Sequence, residues 1–206
     1  ITTRLVGSEM CIRDRIYDTV GTTRTFQTYT GRYVEETGSR YGWKIDVEAE
    51  TKGLRETLAS GRSQERIPEF SQTGAAYTKS DDIGYSYVEV DLTNQHVYLI
   101  VSGKLVTDSP CVTGCVKNGH GTPDGLYSVT YKESPSVLRG EDYETKVNFW
   151  MPFNRGIGLH DATWRSEFGG DIYYSSGSHG CVNLPYKKAA VIYENIYAGM
   201  PVICYY

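Results

Sequence analysis

Between residues 87 and 112 the sequence alternates in character and turns back on itself twice. Tyr87-Val-Glu-Val-Asp-Leu92 changes side-chain type at every step, which is the period of a strand and not of a helix. Thr93-Asn94-Gln95 supplies a turn, and His96-Val-Tyr-Leu-Ile-Val101 runs back. Ser102-Gly103-Lys104 turns the chain again, into Leu105-Val106 and on to Val112. Three strands in a meander follow from that pattern. His96 is then a strand residue with no chemistry.

Later segments extend the β-rich reading. Gly121-Thr-Pro-Asp-Gly125 is a turn by composition, with Leu126–Tyr131 the strand after it and His120 a loop residue at the rim. Residues 132–146 are polar and irregular, and are expected to form a loop or flap over a cleft. Val147–Phe153 and Ile157–His160 are short β-like runs. Ala189, Ala190, Ile192, Tyr193 and Ile196 recur at helical spacing after Pro185, with Gly199 as the stop and Met200–Tyr206 as a terminal strand. The 22 glycines and 18 tyrosines suit such a fold of tight turns and broad, half-polar surfaces.

Upstream, a smaller module is expected over 16–83. Thr23–Thr30 and Arg32–Glu36 read as a hairpin turned at Gly31. Asp46 is a good N-cap for a helix across Val47–Ser60 that stops at Gly61, with Leu54 and Leu58 on one face and Gly53 weakening it. Ser71–Gly84 is polar and reads as a linker. Residues 1–15 are set aside, because Val6–Arg15 looks like a string that recurs at the ends of proteins translated from assembled sequencing reads. The chain is expected to lack its true beginning, where any membrane anchor would lie. A net charge of −4 supports neither nucleic-acid binding nor an electrostatic membrane anchor.

The cysteines stand at 11, 111, 115, 181 and 204, an odd count consistent with one thiol kept free for chemistry. Cys111 and Cys115 could pair, or with His120 could imitate a metal site. A zinc site lacks a second ligand pair at usable spacing. Cys204 reads as buried and inert. Cys181 differs, because it lies in Ser178-His179-Gly180-Cys181-Val182-Asn183-Leu184-Pro185, with Gly158-Leu159-His160-Asp161 upstream. A thiolate attacks carbonyl carbon well and needs an imidazole to take its proton. His160 and His179 are the candidate bases, and Gly180 lets backbone N–H groups approach a developing oxyanion. Asn183 has two readings, a helix cap ahead of Pro185 or a support of the site.

His160, seventeen residues, then Ser-His-Gly-Cys-Val-Asn resembles the active-site signature of bacterial L,D-transpeptidases, the YkuD-like family. The likeness spans 84–206 and includes the meander, the Thr-Pro-Asp-Gly turn and Trp150-Met-Pro-Phe153. Tyr41-Gly-Trp-Lys-Ile-Asp46 and Ile67-Pro68 resemble part of a domain, described as peptidoglycan-binding, that precedes the catalytic domain in some members. The resemblance implies an α+β chain: a β-rich mixed-sheet catalytic domain behind a small α+β module. It implies Cys181 as nucleophile and His160 as general base, oriented by the backbone carbonyl of Asp161. Gly180 and Cys181 N–H groups become oxyanion donors, His179 shapes that wall, and Ser178 supports it by hydrogen bonding. Trp150, Trp164 and Asn183 become substrate contacts.

The implied reaction is peptidoglycan cross-linking outside the cytoplasm, with peptide stems as donor and acceptor and carbapenems as inhibitors. No metal or organic cofactor is implied. Two other functions share these residues: an L,D-carboxypeptidase or amidase using water, and a wall-binding module with a lapsed site. Intact His160, Ser178, His179, Gly180 and Cys181 argue against the lapse.

Overall fold

The computed structural model describes residues 18–36, 40–62, 65–77, 82–140 and 144–206. Residues 1–15, set aside above together with Cys11, lie outside the described residues. The expected hairpin is present as β1 (Arg24–Gln27) and β2 (Tyr33–Glu36). β3 (Lys44–Ile45) leads into helix α1 (Val47–Ser60), and β4 (Phe70–Gln72) returns to pair with β3. The helix begins and ends where its caps predict. The Asp46 side chain accepts from the Ala49 N–H at 3.0 Å, and Gly61 adopts a left-handed φ of 65°.

The packing of α1 departs from expectation. Leu58 is exposed, and the helix is anchored instead by buried Glu50. Glu50 accepts from the Arg66 guanidinium at 2.8 Å and from the Glu69 N–H at 3.1 Å. Gly53 leaves room for Arg66, which a side chain at that position would strike.

The alternating stretch forms β5 (Tyr87–Asp91), β6 (His96–Val101) and β7 (Lys104–Pro110), an antiparallel meander. β8 (Gly125–Ser128) follows. Residues 132–146, expected to be irregular, contain β9 (Ser136–Arg139) and the start of β10 (Glu144–Val147), which pair as an antiparallel ribbon. β11 (Trp150–Asn154), β12 (Ile157–Asp161) and β13 (Val182–Leu184) form a three-stranded sheet, with the short helix α2 (Ile172–Ser176) between the last two. Helix α3 (Tyr186–Asn195) stops at Ile196, before Gly199, and precedes β14 (Pro201–Tyr205). The larger sheet has the order β7-β6-β5-β14-β8, with β14 parallel to β5 and antiparallel to β8. Among the described residues no helix is long and apolar enough to cross a membrane.

Alternation sends the two faces of the larger sheet to two cores. Val88, Val90, Val202 and Cys204 pack against Met151, Leu159, Val182 and Leu184 of the smaller sheet, with Ala189 and Ile192 of α3. On the opposite face Ile203, Tyr205 and Leu126 meet Phe26, Tyr41 and Ile83. That cover buries Glu89, which accepts from the Tyr29 N–H and from the Tyr205 hydroxyl, each at 2.8 Å. Burial pushes its carboxyl up to about 7.

The stretch read as a linker is partly structural. Ser71 and Gln72 belong to β4, and Asp82 is buried against Arg24, with N–O distances of 2.8 and 2.6 Å. The module's aromatics serve its packing as well. Phe26 meets Tyr87 edge-on, and Trp43 packs against Phe70 and Tyr77.

Candidate active site

Parallel pairing of β12 and β13 brings His160 and Cys181 together. Leu159 is opposite Val182 and His160 is opposite Asn183, so Cys181 enters the sheet beside Gly158. Parallel neighbours need a crossover of a dozen or more residues, which is the physical reason for the long spacer between His160 and Ser178.

The turn carrying the thiol is held from both sides. Ser178 Oγ donates to the Cys181 carbonyl at 2.5 Å and accepts from the Gly180 N–H at 3.0 Å. Thr122, in the Thr-Pro turn, donates from Oγ1 to the Gly180 carbonyl at 2.7 Å and accepts from the Gly114 N–H at 3.0 Å. Gly180 has φ +116°, a conformation that excludes most side chains, and a Cβ there would press on Ile157 at 3.0 Å. The Gly180 N–H, expected to face an oxyanion, is therefore committed to Ser178 in this structure. The His179 ring packs on the His120 ring with centroids 4.7 Å apart, so His120 lies beside the signature.

His160 is almost wholly buried, and its Nδ1 lies 2.9 Å from the Asp161 carbonyl oxygen. A carbonyl can only accept, so Nδ1 carries the proton and Nε2 presents a lone pair. Burial pulls the imidazole below its ordinary value, and the nearby Arg165 charge lowers it further, against opposing effects of Asp161. The Asp161 carboxylate is occupied elsewhere, accepting from the Asn148 and Phe149 N–H groups at 2.7 and 2.8 Å. Cys181 is also buried, and its thiol is pushed up to about 11 by burial, with the Gly158 backbone N–H opposing. In this structure the thiol donates to the Gly156 carbonyl at 3.6 Å.

One cleft of about 230 Å³ takes in His160, Trp164, Ser178, His179, Cys181 and Asn183. Leu138 and Thr145 of the ribbon line it too, so the polar stretch does overhang the site, as ordered strands. Trp150 is not among the lining residues. It is buried behind His160, with ring centroids 6.0 Å apart, while exposed Trp164 flanks the same ring at 5.9 Å. Trp150 therefore backs the base where a substrate contact was expected. The capping alternative for Asn183 also falls, because the residue lies within β13 and α3 has no side-chain cap. Cys111, Cys115 and Cys204 are buried free thiols, and burial raises Cys111 and Cys204.

Arg165 and Thr122 are the residues that sequence reasoning passed over. Thr122 had a signal, since it lies in the recognised turn. Arg165 follows Trp164 directly and lines the cleft, but nothing in its neighbours marks it.

The profile of the L,D-transpeptidase catalytic domain, YkuD, matches residues 85–204. A cysteine-to-serine mutant of the Enterococcus faecium L,D-transpeptidase superposes with TM-score 0.84 at 30% identity, covering 98% of this chain and 82% of that one. The Ldtfm carbamoyl enzyme formed with avibactam gives the same TM-score and identity, covering 99% and 81%. The E. faecium catalytic domain acylated by ertapenem is 37% identical with TM-score 0.55, covering 61% of this chain and all of that one. No curated protein sequence matches this chain. The chain belongs to the YkuD family of L,D-transpeptidase catalytic domains. Its activity is cysteine-dependent L,D-transpeptidation.

Proposed function

We propose that Cys181 is the nucleophile of a peptidoglycan cross-linking reaction and His160 its base. The supporting observation is the buried His160 ring, fixed by the Asp161 carbonyl, in the same cleft as Cys181. Sγ attacks the carbonyl of the third, L-configured centre of a tetrapeptide stem as its proton passes to His160 Nε2. The Cys181 N–H is offered to the oxyanion. His160 returns the proton to the departing amine, free D-alanine leaves, and a thioester remains. An amine of a neighbouring stem then attacks the thioester, closes an amide cross-link and restores the thiol. Ser178 holds the turn, and Trp164 and Asn183 face the stem. The site of action is the cell wall, outside the cytoplasm.

Mass spectrometry of products from purified disaccharide-tetrapeptide tests the reading. A cross-linked dimer with release of one D-alanine is expected from the wild type and none from Cys181→Ala, while Cys204→Ala stays active. D-alanine release without dimer would make the enzyme a carboxypeptidase. Turnover by Cys181→Ala would end the mechanism. The ertapenem adduct of the E. faecium domain supports a further expectation: a carbapenem should add one drug mass, mapped to Cys181.

A further inference from the structure

Among the described residues, two buried side-chain polar atoms have no hydrogen-bond partner, and both residues line the cleft at Cys181. One is a donor, Arg165 Nε, and the other an acceptor, Asn183 Oδ1. Folded proteins leave few such atoms, because each costs its desolvation without return. Arg165 is half-buried and makes one protein contact, from Nη2 to the Ser176 carbonyl at 2.8 Å. It forms no ion pair with a carboxylate among the described residues, unlike Arg24, Arg66 and Arg139. A buried guanidinium N–H left without an acceptor is costly, and the fork of an arginine matches a carboxylate.

The rest of the cleft narrows the ligand. Besides the imidazoles of His160 and His179, the lining residues Leu138, Thr145, Trp164, Ser178 and Asn183 carry no charge, so Arg165 is the permanent cation of the lining. An unfilled donor of positive charge and an unfilled acceptor are complementary to a free carboxylate and a peptide N–H. The terminal residue of a peptide carries both, and in the reaction proposed above that residue is the leaving group.

We propose that Arg165 is a specificity-determining residue that binds the terminal carboxylate of the acyl-donor stem. The cleft then selects donors whose leaving residue ends in a free acid over donors in which it is amidated or esterified. This rests on the stem-peptide reading of the site and names what that reading leaves open, the feature of the donor that is recognised.

The test measures kcat/KM for release of the last residue from a tetrapeptide stem ending in a free carboxylate and from the same stem ending in a carboxamide. Wild type, Arg165→Gln and Arg165→Lys are compared. Wild type should favour the free acid by about tenfold or more, the scale of a hydrogen bond to a charged group. Arg165→Gln should bring the free-acid and carboxamide values together, mainly through a raised KM for the free acid. Arg165→Lys keeps the charge, serves where the glutamine variant does not fold, and should retain part of the preference.

A wild type indifferent to the end group overturns the proposal. So does a variant that slows both stems equally, which is what an arginine that merely pins Ser176 would produce. A wild type that acts on neither stem overturns the reading of the reaction instead. The carboxylate preference is then read from the rate of Cys181 acylation by a carbapenem free acid against its ester, followed by intact mass. Loss of that preference in Arg165→Gln supports the proposal, and its persistence overturns it.

Discussion

Arg24 is drawn out of water against the larger sheet, and Arg165, beside the thiol, buries its Nε. Arg24 reaches both oxygens of buried Asp82 and adds the carbonyls of Thr19 and Tyr41 at 2.7 and 3.1 Å. Arg165 has the Ser176 carbonyl alone. The fold completes the first arginine from its own chain, so its charge has become part of the packing. It leaves the second incomplete where another molecule enters. The difference separates a charge that holds the protein together from one that waits for a ligand.

Removing Asp82 should have the largest effect on stability. Asp82→Ala leaves the Arg24 charge buried and uncompensated, a loss of about 3–5 kcal/mol, visible as a lower denaturation midpoint at unchanged slope. Arg165→Gln should stay within about 1 kcal/mol of the wild type. Equal losses in the two variants would erase the distinction between the arginines.

Thr122→Val probes an intermediate case, a buried polar residue satisfied by the fold but touching the site. The Gly114 N–H and the Gly180 carbonyl both lose their partner, at a cost of about 1–3 kcal/mol. Because Gly180 adjoins the thiol, kcat should fall about tenfold while KM changes little. A variant with wild-type kcat would show that the turn keeps its shape without this brace.

The smallest effect belongs to Glu89. Its native carboxyl titrates near about 7, against an ordinary value of 4.5, so the folded state holds its proton more tightly than the unfolded chain. That stabilisation is complete below 4.5 and is lost as pH rises toward 7. Thermal melts should therefore show a higher Tm at pH 5 than at pH 8, and Glu89→Gln should reduce the difference. Glu36, raised to about 7 by burial and by Asp124, contributes in the same direction and should account for part of what remains. An unchanged difference in Glu89→Gln would mean that other groups carry the pH dependence.

Local signals in the sequence carry much of this structure. Alternation and turn residues predict β5 to β7, Asp46 and Gly61 bound α1, and the signature joining His160 to Cys181 marks the residues that β12 and β13 bring into one cleft. What escapes depends on partners far along the chain. Asp82 looks like a linker residue until Arg24, 58 positions earlier, is placed against it. Glu89 reads as one polar step in an alternating strand until the first hairpin covers it. The ribbon β9–β10 has too little alternation to announce strands. The Gly180 N–H could not be assigned before the Ser178 side chain was oriented. Arg165 is the hardest case, because a missing partner is a property of packing and leaves no mark on the chain.

Strand β14 lies between β5 and β8, with Ile203 opposite both Glu89 and Leu126. In the order in which a ribosome delivers the chain, the middle of the larger sheet arrives after everything that surrounds it. Until then β5 and β8 each present an unpaired edge, and the apolar residues meant to meet β14 have nothing to cover them. Cys181 and His160 are already synthesised, but the sheet behind them cannot close. Closure of the larger sheet therefore waits on pairing between strands far apart in the sequence, which is intrinsically slow.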